Sequence, residues 1–164
     1  MKHSHHATAA LARGSVRAGG FTLIELMITL VVASILMTIA FPMYLHQIRE
    51  SRRTDARSAL LDLASREERY YAINNVYTST AGNVGYTGWG SGSPIGSGYY
   101  YLVQPTVTAA TTTAPAGFTL VAQPIAGKGQ DQDSDCQTFT VTQTGQETST
   151  NSAAADSSST CWGQ

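Results

Sequence analysis

Few side chains in this chain are placed to do chemistry, and most stand alone. One carboxylate, Glu25, interrupts an otherwise uncharged apolar run from Phe21 to Phe41, and a Gly20-Phe21 junction stands just before it. Three carboxylates alternate late in the chain, at Asp131, Asp133 and Asp135, followed by the first of only two cysteines, Cys136 and Cys161. Of the four histidines only His46 lies beyond residue 20. His3, His5 and His6 suggest metal binding, but a soluble, disposable leader or part of a tag explains them better. No serine stands in a Gly-x-Ser-x-Gly elbow. The glycine-rich stretch from Gly82 to Gly98 lacks the Gly-Lys-Ser/Thr ending of a phosphate-binding loop. No acid or cysteine is spaced from His46 as a triad or metal set would require. Neither catalysis nor a cofactor is expected.

Glu25 is therefore the residue to explain. A helix rises about 1.5 Å per residue, so the run of 21 residues from Phe21 to Phe41 would span roughly 30 Å, the depth of a bilayer's hydrocarbon core. A carboxylate near the middle of such a helix costs on the order of 2.5–3.5 kcal/mol, and less near an end. An ordinary signal anchor has no use for it. The segment before the run, Met1 to Gly20, carries Lys2, Arg13 and Arg17 but no apolar stretch of the kind found in a secretory signal peptide. The apolar stretch follows the Gly20-Phe21 junction instead of preceding it.

A basic leader, Gly20-Phe21-Thr22-Leu23-Ile24-Glu25 and a membrane-length helix resemble the prepilin processing site of type IV pilins and pseudopilins, with its class III leader. The resemblance implies cleavage by a prepilin peptidase between Gly20 and Phe21 and N-methylation of Phe21. Cleavage would free an α-amino group with a pKa of about 8. That cation would pair with Glu25 of a neighbouring subunit once the helices bundle in apolar surroundings. The fold implied is α+β: a long N-terminal helix, membrane-spanning in its first half and amphipathic in its second, packed on a small antiparallel sheet. Pro42 stands at the end of the apolar run, where it removes a backbone donor. The resemblance implies a hinge at Pro42, with a simple exit kink from the membrane as the alternative. The implied partners are other pilins through the N-terminal helix, the prepilin peptidase, an inner-membrane assembly platform and a tip adhesin.

Positive charges do not orient the membrane helix, because Arg49, Arg52, Arg53 and Arg57 after the run balance the leader's three. The cysteines are more useful. An even pair in an exported head fits a disulfide in an oxidising compartment, with two buried thiols as the alternative. A Cys136–Cys161 bond would match the disulfide-bounded C-terminal region of type IV pilins. The expected location is the inner membrane with a periplasmic head, then the surface pilus. Removing the leader leaves 144 of the 164 residues and takes the net charge from −1 to −4. From Ala72 onward Lys128 is the one basic residue among five acids. Phosphate affinity rests on Lys and Arg, so this balance disfavours a nucleic-acid partner.

The expected divisions are a leader over 1–20, a membrane and filament-core helix over 21–44, an amphipathic helix over 45–71, a glycine-rich loop over 72–98, and a sheet with the disulfide loop over 99–164. In the second helical half Ile48, Ala56, Ala59, Leu60, Leu63 and Tyr70 form an apolar stripe. Arg53, Arg66, Glu67 and the other charges are assigned to a solvated face. Three or four strands are expected: Tyr99–Val103, around Phe118–Ala122, around Thr138–Thr142, and more weakly within 106–113. The Ser- and Thr-rich tail from Gly145 reads as disordered on composition alone, with Trp162 as its anchor.

Asp131, Asp133 and Asp135 match the first half of a calcium loop, but Cys136 stands where that loop needs glycine and Thr142 where it needs glutamate. The metal expectation is accordingly none, with these three as a weak candidate set. Tyr70-Tyr71, the Phe118-Thr119-Leu120 strand and the late cysteines are most similar to minor pilins of the PilE type. The function expected is a structural subunit of a type IV pilus that supports assembly, twitching motility and adhesion. The alternatives are a type II secretion pseudopilin and a competence pilin that binds DNA.

Overall fold

A computed structural model describes residues Gly20–Gly163. The leader expectations on residues 1–19 lie outside the described residues. One helix, α1, runs from Leu23 to Asn74 and contains Pro42 without ending there. Thr22 opens it: the Thr22 hydroxyl accepts the Glu25 backbone N–H at 3.3 Å, one half of the Ser/Thr-x-x-Glu capping pattern. The chain divides into two compact units, one ending at Ala40 and one beginning at Phe41.

The first unit is the apolar part of α1. Its large side chains, from Phe21 through Ile39, are all exposed. It is long and apolar enough to cross a membrane. Thr29, Ser34 and Thr38 turn their hydroxyls back onto carbonyls three residues earlier, which satisfies them without water.

The second unit holds the rest of α1 and everything after it. Asn75, with φ of 58°, ends the helix in the left-handed region that Asn tolerates well. Residues 72–74, expected in the loop, are thus helical, and the Asn74 side-chain amide bonds the Tyr70 carbonyl in the last turn. The loop that follows is ordered by a short 3-10 helix, Ala81–Val84, and by strand β1, Pro94–Ile95. Five more strands complete the sheet: β2 Tyr100–Leu102, β3 Thr106–Thr108, β4 Gly117–Pro124, β5 Thr138–Thr142 and β6 Glu147–Thr150. The order is β1-β2-β4-β5-β6, with β3 also on β4, and every pairing is antiparallel. A short helix α2, Ser158–Trp162, closes the chain.

Six strands stand where three or four were expected, and the tail that composition marked as disordered forms β6 and α2. The tail's order comes from contacts that composition does not register. Trp162 is buried edge-on to Phe139, and its indole N–H bonds the Thr148 carbonyl at 2.9 Å. Asn151 caps its own turn through the Ala153 and Ala155 N–H groups.

Strand alternation sorts the sheet into two faces. Tyr100, Leu102, Phe118, Leu120, Ala122, Phe139 and Val141 pack with Ala56, Leu60 and Leu63 of α1 in one core. Burying each leucine contributes roughly 1.5–3 kcal/mol. The opposite face is built of cross-strand rows. Thr106 pairs with Thr119, which pairs with Thr142. Val121 pairs with Thr140, which pairs with Thr148. Tyr101 pairs with Gln123, and Thr138 with Thr150.

Candidate functional site

The contact between the second half of α1 and the head includes two buried charged residues. The buried positions of α1 are Arg53, Ala56, Leu60, Leu63 and Glu67, spaced by three and four. This is the core-facing stripe of an amphipathic helix with a charge at each end. Arg53 and Glu67 were expected on a solvated face. The structure corrects that expectation for a geometric reason: the spacing that carries Ala56, Leu60 and Leu63 inward carries residues 53 and 67 with them. Extending the stripe by one step in each direction would have found both.

Arg53 is 3% exposed, and its guanidinium forks onto Asp133, itself 2% exposed, with Nε–Oδ2 and Nη2–Oδ1 both at 2.8 Å. Bonding to Asp133 raises the arginine's pKa against the opposing effect of burial. The Gln130 side-chain amide donates to Asp133 Oδ2 at 3.0 Å and to the Tyr100 hydroxyl at 2.9 Å. Burial pushes the Tyr100 phenol well above its usual range. Asp135 lies 3.5 Å from Arg53 and 3.8 Å from His46.

This arrangement bears on the weak calcium candidate. Asp131 turns both oxygens onto the Gly127 and Gly129 N–H groups of its own loop, which holds its carboxyl below the usual range, the Gly127 bond foremost. Asp133 points instead to Arg53. The three carboxylates do not converge, and among the described residues no group of acids, histidines or cysteines could hold a metal ion. The alternation that resembles half a calcium loop instead places one aspartate on its loop and the next on α1.

Glu67 is fully buried. Its Oε2 accepts the Thr78 backbone N–H at 3.1 Å, while Oε1 has no partner among the described residues. Burial raises its pKa, partly countered by the Thr78 bond. The contact ties α1 to the start of the glycine-rich loop. Further along that loop, the Ser97 hydroxyl and backbone N–H both bond Asp55. Gly96, at φ of 51°, lies so close to Asp55 that a Cβ there would meet its carboxylate at 2.6 Å.

Cys136 and Cys161 are joined in a disulfide, and both are buried. The bond fastens the start of β5 to α2 and encloses β6.

The remaining cations of the second unit have varied partners. Arg66 pairs with Asp62 at 2.7 Å. Arg49 bonds Gln132, Arg57 bonds Thr54, and Arg69 bonds Ser65. Arg52 lies over the Tyr99 ring, 3.5 Å from its centroid, and Lys128 bonds the neighbouring Gly98 carbonyl.

A family model described as "Type IV minor pilin ComP, DNA uptake sequence receptor" matches residues 42–140, from Pro42 across the helix, loop and first five strands. The chain belongs to this family. A second model, the prokaryotic N-terminal methylation motif, matches residues 16–41. No curated protein matches the chain. The protein is thus a minor pilin of the type IV pilus, with a class III leader and the α+β pilin fold. The minor pilin reading stands ahead of the pseudopilin. The family is one of structural pilins, not of enzymes. Its leader and apolar helix fit membrane anchoring followed by pilus entry. The family's own description names a DNA receptor, which runs against the expectation that nucleic acid is not a partner.

Proposed function

We propose that this minor pilin is cut between Gly20 and Phe21, methylated on Phe21, and carried from the inner membrane into a surface pilus with its head displayed. The observation that carries this reading is the methylation-motif match over 16–41, which adjoins the minor-pilin match from residue 42. Before assembly the head stands in the periplasm, an oxidising compartment that suits the Cys136–Cys161 bond. In the fibre Glu25 accepts the N-terminal amine of a neighbouring subunit, and Pro42 serves as a hinge. A prepilin peptidase, an inner-membrane platform and a tip adhesin are its partners, and twitching motility and adhesion are what it supports. Mass spectrometry of sheared fibres tests this. A peptide starting at N-methylated Phe21, far below the main subunit in amount, is the expected result. An uncut leader in both fibres and membranes would overturn it.

A second reading is DNA capture, favoured by the family's description as a DNA uptake sequence receptor. Two of the acids that made the head look hostile to DNA are engaged internally, Asp133 with Arg53 and Asp131 with its own loop. Arg52 lies over Tyr99, Lys128 bonds the carbonyl of the adjacent Gly98, and Arg49 precedes Arg52 by about one turn on α1. Cations beside an aromatic ring suit a nucleic-acid strand. Full-length protein in detergent should then bind DNA at low salt and release it as salt rises. Replacing Arg52 and Lys128 with Ala should shallow that salt dependence. No binding at low salt removes this reading and leaves the first intact.

A further inference from the structure

The outward face of the sheet is unusual for an exposed β surface. It carries eight threonines, Thr108 among them, and among its described residues the strands place no Asp, Glu, Lys or Arg there. The solvated face of an antiparallel sheet is ordinarily polar, and Lys, Glu, Arg and Asp are mostly exposed residues. The carboxylates nearby are at the rim and engaged: Asp156 bridges to Thr150 and bonds Ser158, and Asp131, beside Gln123 and Thr138, accepts the Gly127 and Gly129 N–H groups. The hydroxyls of Thr119, Thr138, Thr140 and Thr148 have no hydrogen-bond partner among the described residues. Tyr101 lies on the same face, its hydroxyl bonded to Gln123 at 2.8 Å.

We propose that this threonine face is a docking surface for a neutral, hydroxyl-rich polymer, that is, an uncharged polysaccharide. The argument is one of charge and hydrogen-bond complementarity. A nucleic acid or anionic lipid finds no cation on the face, and a basic peptide finds no carboxylate. Val121 and Val103 beside it are the aliphatic residues larger than threonine in the central rows, so a hydrophobic partner finds little area. Threonine hydroxyls both donate and accept, as sugar hydroxyls do. Their methyls and the Tyr101 ring suit the C–H faces of a sugar. The strands repeat about every 4.8 Å, and alternate residues along a strand about every 6.7 Å, so the hydroxyls form a grid able to meet a repeating polymer at several points. Each contact is weak alone, and the grid lets several act at once on one head. This reading rests on the proposal that the pilus displays the head, which gives the face access to a surface.

The test measures retention of the purified full-length protein, in detergent, on microcrystalline cellulose and on cross-linked dextran, with polystyrene beads as the apolar control. Purified protein separates this question from pilus entry, so its failure leaves the fibre reading untouched. Retention on the polysaccharides above that on polystyrene, unchanged by raised salt, is expected. Thr140→Lys, at the centre of the grid, should cut it about tenfold, and Thr140→Ser, which keeps the hydroxyl, should retain most of it. Both variants should melt within a few degrees of the parent; if Thr140→Lys does not fold, Thr148→Lys in the same row takes its place. No retention, equal retention on polystyrene, or retention indifferent to the lysine would overturn the proposal. So would a soluble dimer that the lysine dissolves without any polysaccharide binding, because that would give the face to a second copy.

Discussion

Arg53 and Asp133 show how a charge pair can hold one element on another. Both are almost fully buried and bonded twice to each other, so each supplies the main compensation for the other's charge. Removing one partner of such a pair typically costs about 3–5 kcal/mol, because it strands a buried charge. Asp133→Leu should therefore destabilise the head by that order, read from denaturant midpoints. Adding Arg53→Met should restore part of the loss. Glu67 behaves differently, because it has one backbone donor and no cation. Its pKa is raised above the ordinary 4.5, so the folded chain binds a proton that the unfolded chain has released. Its contribution is fully present below the unfolded value and is lost as pH rises towards the folded one. Stability should fall across that window, and Glu67→Gln, which cannot ionise, should flatten the fall. Thermal melts from pH 4 upward check this, and an unchanged slope would count against the burial argument.

At the scale of elements, the disulfide is the largest single constraint on the C-terminal region. It joins residues 25 apart in sequence, and the closed loop contains β5, β6 and most of α2. The chain-entropy model gives that closure roughly 3.5 kcal/mol. Reduction should lower the denaturation midpoint by a corresponding amount, measured with and without a thiol reductant. The packing of Trp162 on Phe139 is expected to keep α2 partly in place. A melt that is indifferent to reductant would mean that this packing alone holds the tail.

For the whole molecule, the two units divide the labour. The first unit keeps its large apolar side chains exposed and so suits lipid or neighbouring helices. The second carries its own core. Glu25 belongs to the first unit and is exposed there, with the Thr22 cap the one contact made by its backbone N–H besides the helix itself. Glu25→Ala should still insert and be cleaved but enter filaments poorly, because a neighbour's N-terminal amine loses its acceptor. Immunoblots of membrane and sheared-fibre fractions measure that, and normal incorporation would refute the pairing.

The division between sequence and tertiary structure follows from the range of the forces. The membrane-length run, the Gly20–Glu25 motif, the outlines of β2, β4 and β5, and the α+β class were legible in the chain itself, because they depend on local periodicity and composition. The roles of Asp131 and Asp133 were not, because their partners lie on a loop glycine in one case and 80 residues away in the other. The fate of Arg53 and Glu67 stood between these limits. Their spacing marked them as core-facing, but residue type argued for solvent, and only a partner across the fold decides whether a charge can be buried. The tail is the clearest tertiary case. Its serines and threonines carry little hydrophobic drive, and it is ordered because a disulfide, one indole and a strand edge hold it on a sheet built elsewhere in the chain.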